Sequence, residues 1–213
     1  MNEPVKKAHP SEVLVGIFVG GASSRMGRAK GLLPSPRSKH GSSAAAARSE
    51  TQSTLLDELW GLCACELGCE TVLVGERSEY AFLNRPTLRD VVQGAGPLSG
   101  LVALLDRGFL QGKKYVVDLA CDLPYVECAL LERLLSFETQ QAAVCAHIDG
   151  KYQPFFARYA VSQRAVWRAA LQNGHYSLQP LFQQLDAAIL PVLPHEQLQL
   201  VDWDSPEDVN YER

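Results

Sequence analysis

Residues 13–30 read VLVGIFVGGASSRMGRAK. The first seven, Val13 to Val19, are an apolar, β-rich run without alternation, the pattern of a strand buried on both faces. A glycine-rich turn follows at once: Gly20 and Gly21 are adjacent, and the basic residues Arg25 and Lys30 lie just beyond them. Adjacent glycines let the main chain come close to a ligand, and successive N–H groups can cradle phosphate oxygens. Arg25 and Lys30 add full positive charge that a backbone alone does not supply. The loop is not a Walker A sequence, because no Gly-Lys-Ser/Thr follows the glycines, and it is not GxGxxG. On these residues alone the segment reads either as a phosphate-binding loop or as a tight structural turn.

Outward from this stretch the chain alternates between strand and helix patterns. Leu55, Leu56, Leu59, Leu62, Cys63 and Leu67 share one broad apolar face, which predicts a helix over 54–67 with Gly68 as its stop. Strands are expected at 71–75, 88–92, 115–121 and 142–147, and QPFFARY (153–159) reads as extended. Helices are expected from Leu98 through Leu105, over 127–136, 161–172 and 178–185, and from the tail SPEDVNYE. This order predicts an α/β fold with a mainly parallel sheet covered on both faces, whose ligands sit beyond the carboxyl ends of the strands.

Composition narrows the class. The chain has 213 residues, 46% hydrophobic and 21% charged, with a formal charge of −4. One domain spanning 1–213 is expected, with enough length for a real core. No global basic field draws nucleic acid or an anionic membrane. No apolar run approaches the roughly 18 residues of a membrane helix, and the first residues, MNEPVKKAHPSE, lack the apolar region of a signal peptide. Six cysteines stand at 63, 65, 69, 121, 128 and 145. A metal reading of CACELGC needs a fourth ligand and a CxxC spacing, and on a helix Cys63 and Cys65 point about 200° apart. Reduced, mostly buried thiols and a cytoplasmic location are therefore expected. Residues 34–53, rich in Ser and Ala, read as a mobile loop, either a solvated linker or a basic lid over a phosphate-bearing substrate.

Two further segments carry chemistry. In GAGPLSG (94–100), Pro97 suits the first turn of a helix, and a plain loop followed by a helix start explains it equally well. In Cys121-Asp122-Leu123-Pro124, a carboxylate at a strand's carboxyl end suits Mg²⁺, which takes one or two carboxylates together with phosphate oxygens. Asp118, in the same strand, is read as structural.

Five motifs in this order resemble the molybdenum cofactor guanylyltransferase family of MobA-like nucleotidyltransferases: FVGGASSRMGRAK, RDVVQGAGPLSGL, ACDLPY, QPFFARY and VDWDSPEDV. They span nearly the whole chain. The resemblance implies a single three-layer α/β/α domain of the nucleotide-diphospho-sugar transferase-like kind, with Mg²⁺ as cofactor and an NTP, GTP first, as substrate. Phe18, Val19 and Gly20 match the nucleotide-contacting segment, and Gly21, Ser23 and Arg25 continue the signature loop. Lys30 matches the lysine that meets the NTP phosphates, and Asp90 a nucleotide-contacting aspartate. Gly96, Pro97 and Gly100 match the second glycine-containing loop. Asp122 matches the aspartate that holds Mg²⁺; Asp204 is either a second metal carboxylate or the cap of the last helix. The chain departs from the pattern at Phe18-Val19, where Leu-Ala is usual, at Gly75, where asparagine is frequent, and at Asp204, where asparagine is common.

The activity implied is attack of an acceptor phosphate, that of molybdopterin, on the α-phosphorus of GTP with release of pyrophosphate, catalysed by Arg25, Lys30 and Asp122. The partners implied are the NTP, a molybdopterin-type acceptor and proteins of the cofactor pathway, molybdoenzymes among them. A relative using CTP or a sugar phosphate is the near alternative. An inactive nucleotide-binding regulator is the alternative from another class.

Overall fold

The computed structural model describes residues 8–20, 29–39 and 53–210. Strand β1 (Val13–Phe18) is buried at all six positions. It runs between β2 (Glu70–Val74) and β4 (Tyr115–Ala120) and is parallel to both. The remaining strands are β3 (Thr87–Leu88), β5 (Ala143–Ile148), β6 (Lys151–Ala160) and β7 (Ala188–Leu190). The seven form one sheet in the order β3-β2-β1-β4-β6-β5-β7. Only β6 runs against its neighbours, pairing antiparallel with β4 and β5, while β5 and β7 are parallel. The extended QPFFARY is thus the strand that turns a purely parallel sheet into a mixed one.

Helices cover both faces. α1 (Leu55–Gly61) and α3 (Cys128–Ser136) pack on the face formed by Val13, Val15, Ile17, Val117 and Leu119. α2 (Pro97–Leu110), α4 (Arg164–Gln172) and α5 (Leu178–Gln184) cover the face formed by Leu14, Val72, Val116, Ala157 and Tyr159. This is the three-layer arrangement the alternating pattern predicts, because each strand presents successive side chains to opposite layers. Each leucine fully buried between the layers, such as Leu104 or Leu56, contributes about 1.5–3 kcal/mol. A short helix α6 (Pro206–Asn210) follows near the end.

Two elements differ from the pattern reading. The third strand is only two residues long, because it pairs with β2 alone at the sheet edge and the chain leaves the sheet before Asp90. The helix begun at Leu55 widens at Leu62–Glu66 into a turn closed by Leu67 N–H donating to the Leu62 carbonyl at 3.0 Å, and it ends before Gly68, whose φ is 66°. Residues 194–200 wind as a 3₁₀ helix. All six cysteines are free; Cys63 is buried and Cys65 exposed, as their positions on a helix require. Residues 40–52, the interior of the segment read as a mobile loop, lie outside the described residues. Its ends are pinned: Ser35 N–H donates to the Ser53 carbonyl at 2.8 Å, Leu55 N–H donates to the Leu33 carbonyl at 2.9 Å, and Ser35 is buried. No helix among the described residues is long and apolar enough to cross a membrane.

Candidate active site

At the carboxyl end of β1, Phe18 closes the strand, and Val19 N–H donates to the Val74 carbonyl at 2.9 Å. Gly21, Ser23 and Arg25 lie outside the described residues. The chain is described again from Ala29. Lys30 opens a 3₁₀ turn, Lys30–Leu32, flanked by buried Ala29 and Leu33. Gly31 N–H donates to the Tyr80 hydroxyl at 3.1 Å. These anchors fix the base of the Lys30 side chain.

The Lys30 ammonium donates to Asp122 Oδ2 at 2.8 Å and also to Asp204 Oδ1. Burial works against the ammonium, but the hydrogen bonds and charges of Asp122 and Asp204 outweigh it, and the lysine pKa is raised. Asp122 comes from the loop after β4. Asp204 arrives from the far end of the sequence, on the segment before α6. Asp202, two residues earlier, joins them: oxygens of Asp122, Asp202 and Asp204 lie within 4.8 Å of one another, the one such metal-competent group among the described residues. Desolvation raises the Asp202 pKa, and the charges of Asp204 and Asp122 add to it. Cys121, buried beside this group, has its thiol pushed up to about 12, by burial first and then by Asp122.

Asp204 does not close the turn that leads into α6. The N–H groups of Asp204 and Ser205 both donate to Asp208 Oδ2, at 2.9 and 2.7 Å. Asp208 therefore performs the capping job, and the Asp204 carboxylate is left to face Lys30.

These residues line a cavity of about 220 Å³ that includes Phe18, Val19, Gly20, Lys30, Asp122, Phe155 and Asp204. A second cavity, about 430 Å³, opens on the other side of Phe18 and holds Gly20, Gly75, Asp90, Gly96, Pro97 and Phe155. Burial raises the Asp90 pKa. Gly96 and Pro97 begin α2 there, and the first turn has no side-chain cap, so its positive dipole end faces the cavity without a side chain to neutralise it, although Pro97 has no N–H and the Ser99 N–H donates to the Gly96 carbonyl at 3.2 Å. Gly100 lies beneath: a Cβ on it would stand 2.8 Å from the Phe18 ring and 3.2 Å from Asp90 Oδ1. Gly75 has φ 95°, and a Cβ there would meet the Gly20 backbone at 2.8 Å, so glycine alone lets the two loops touch. A third cavity of about 140 Å³ adjoins the first, walled by Leu123, Gln153, Pro154, Phe155, Leu200 and Asp202. Phe155 borders all three cavities, and its ring stands 5.2 Å from that of Phe18.

Of the residues singled out by sequence, the structure brings Phe18, Val19, Gly20, Lys30, Asp122 and Asp204 to the first cavity and Asp90, Gly96 and Pro97 to the second, with Gly100 under its floor. Sequence reasoning missed Asp202, Tyr80 and Phe155. The spacing Asp-Trp-Asp signalled Asp202, since positions two apart in extended chain share a face. Tyr80 gave no signal, because its role rests on Gly31, distant in sequence. The three carboxylates offer hard oxygen donors beside a phosphate-sized cavity, a donor set that fits Mg²⁺.

The family description "MobA-like NTP transferase domain" matches residues 15–188. The chain is 28% identical over 213 residues to "Probable molybdenum cofactor guanylyltransferase" of Opitutus terrae, covering 97% of each protein. It is 28% identical over 200 residues to "Molybdenum cofactor guanylyltransferase" of Xanthomonas euvesicatoria pv. vesicatoria, covering 90% of this chain and 89% of that one. Its fold matches the crystal structure of molybdopterin-guanine dinucleotide biosynthesis protein A from Archaeoglobus fulgidus, with a TM-score of 0.68 over 92% of this chain and 95% of the other at 20% identity. The match at 15–188 takes in most of the chain, and the chain belongs to the MobA-like NTP transferase domain family, a family of nucleotidyltransferases.

Proposed function

We propose that this nucleotidyltransferase joins a nucleotidyl group, GMP from GTP first, to the terminal phosphate of a molybdopterin-type acceptor and releases pyrophosphate. The observation that carries this reading is the convergence of Lys30, Asp122 and Asp204 in a cavity that shares Phe18, Gly20 and Phe155 with the Asp90–Gly96 cavity. The nucleoside occupies the larger cavity and its phosphates extend into the smaller. The named activities of the Opitutus and Xanthomonas relatives support the choice of guanylyl transfer and of this acceptor.

In the reaction an acceptor phosphate oxygen forms a bond to the α-phosphorus while the bond from that phosphorus to the α,β-bridging oxygen breaks. A phosphate nucleophile is already anionic near neutral pH, so no side chain is needed as base. The protein's work is in-line positioning and charge neutralisation. Lys30 balances charge on the departing pyrophosphate. Asp122 and Asp204, with Asp202 beside them, hold Mg²⁺, which supplies charge neutralisation at the phosphates when bound. The acceptor enters from the third cavity, which meets the first at Asp202 and Phe155.

The test is pyrophosphate release from GTP, CTP and ATP, with and without molybdopterin and Mg²⁺. The expected result is acceptor- and Mg²⁺-dependent release that is fastest with GTP. Preference for CTP revises the nucleotide. Nucleotide binding without release under any combination overturns the enzymatic reading.

A further inference from the structure

Asp118 lies in the middle of β4, fully buried, outside all three cavities. Its Oδ1 accepts the Ala157 N–H at 3.1 Å, and its Oδ2 lies 2.8 Å from the Tyr159 hydroxyl. That same hydroxyl lies 3.2 Å from the Pro154 carbonyl oxygen. A carbonyl only accepts, an ionised carboxylate only accepts, and a tyrosine hydroxyl carries a single hydrogen. One hydrogen does not serve two acceptors well. A hydrogen on Asp118 resolves the conflict: the acid donates to the tyrosine oxygen, and the tyrosine donates to Pro154.

The surroundings agree. Among the described residues, the titratable groups facing Asp118 are Tyr159 on β6 and Cys145 on β5, neither of them a cation. The nearby buried base, Arg158, turns to the opposite layer and donates to the carbonyls of Leu135 and Phe137. The helices over this layer contribute leucines, Trp167 and Phe182. Burial pushes the Asp118 carboxyl well above its ordinary range.

We propose that Asp118 is held in the fold as an uncharged carboxylic acid and, through Tyr159, positions the Pro154–Phe155 corner that all three cavities share. It is a positioning residue: it touches no substrate, and it acts by fixing the carbonyl immediately before the ring that divides nucleotide from acceptor. The second half of this proposal rests on the nucleotidyl-transfer reading of the cavities; the first half does not.

Two measurements test it. Asparagine reproduces the hydrogen-bonding pattern of the neutral acid, with an acceptor for Ala157 and a donor for Tyr159. In the wild type, folding takes up a proton at Asp118, so stability falls as pH rises above the unfolded range near 4. Asp118→Asn carries no such penalty. Its melting temperature relative to wild type rises with pH from 5 to 8 by about 4 °C per unit, and its kcat and KM stay within about twofold of wild type. A gap that is flat or shrinks with pH means an ionised Asp118 and overturns the proposal. Tyr159→Phe raises KM for nucleotide and acceptor about fivefold with kcat nearly unchanged, the size expected for one lost hydrogen bond. Where that variant is too unstable to assay, Asp118→Val reads the same split. Unchanged KM values in a folded variant overturn the positioning role. If the wild type releases no pyrophosphate from any nucleotide, the transfer reading fails, while the melting series still decides the state of Asp118 and calorimetric affinity for GTP replaces KM.

Discussion

The backbone N–H of Trp203 donates to the carbonyl of Asp122 at 3.1 Å. That bond ties the end of the chain to the loop after β4. Trp203 is buried with Leu33 and Leu55, and its ring meets Tyr125 edge-on. With residue 203 anchored, its neighbours Asp202 and Asp204 are both delivered beside Asp122. The acidic group is therefore built by a backbone bond and a buried indole, not by proximity in sequence.

Lys30→Ala should cost far more turnover than stability. Losing one charged contact to the leaving pyrophosphate is worth about 3 kcal/mol, roughly a hundredfold in rate. The same change removes the cation that lies between Asp122 and Asp204, so nucleotide-free protein should bind Mn²⁺ more tightly than wild type. Pyrophosphate release and paramagnetic Mn²⁺ titration check the two halves. Wild-type turnover in a folded Lys30→Ala protein would remove Lys30 from the mechanism.

Asp122→Asn and Asp204→Asn should each raise the Mg²⁺ concentration needed for half-maximal turnover, about tenfold or more for Asp122. Asp208→Ala should leave that requirement near wild type. It instead loses the acceptor for the Asp204 and Ser205 N–H groups, costing about 1 kcal/mol of stability. A Mg²⁺ titration alongside thermal melts separates the ligands from the cap. An unshifted Mg²⁺ requirement in Asp122→Asn would mean that the metal site lies elsewhere.

Gly75→Ala forces a side chain into a left-handed conformation and against the Gly20 backbone. Neither backbone yields as a flexible side chain would. The expected loss is about 1–3 kcal/mol of stability, with weaker nucleotide binding because the Gly20 and Gly75 loops wall the same cavity. Melting and calorimetry with GTP check both, and intact GTP affinity in the folded variant would separate this contact from the binding cavity.

Glu196 sets a pH dependence of opposite sign to that of Asp118. Its pKa is lowered, chiefly by Arg133, and its carboxylate also accepts the Leu193 N–H at 2.8 Å. A depressed acid contributes stability that is fully present above its unfolded pKa and is lost as pH falls through the folded one. Glu196→Gln should therefore melt below wild type at pH 7, and the gap should close as pH drops below 4.5. A gap that is constant from pH 7 to pH 3 would show that the ion pair adds nothing.

The sequence by itself determined the class of fold and the loops that carry chemistry. Val13 to Val19 is apolar at every position, which only a strand covered on both sides satisfies, and the alternating helices supply the cover. Gly20, Lys30, Gly96 and Asp122 were legible because each sits where a local pattern breaks at the end of a strand or the start of a helix. Local patterning is short in range, so it named these residues without placing them together. Tertiary structure decided that Lys30 bridges Asp122 and Asp204, that Asp202 completes the acidic group, and that Asp208 takes the capping role open to Asp204. It also decided that Asp118, one more polar residue in an apolar strand, is buried facing the Tyr159 hydroxyl. Each of these depends on which strand lies beside which. β4 pairs with both β1 and β6, strands just over a hundred and about forty positions away in the sequence, and chemistry across those pairings is set by packing of the whole sheet.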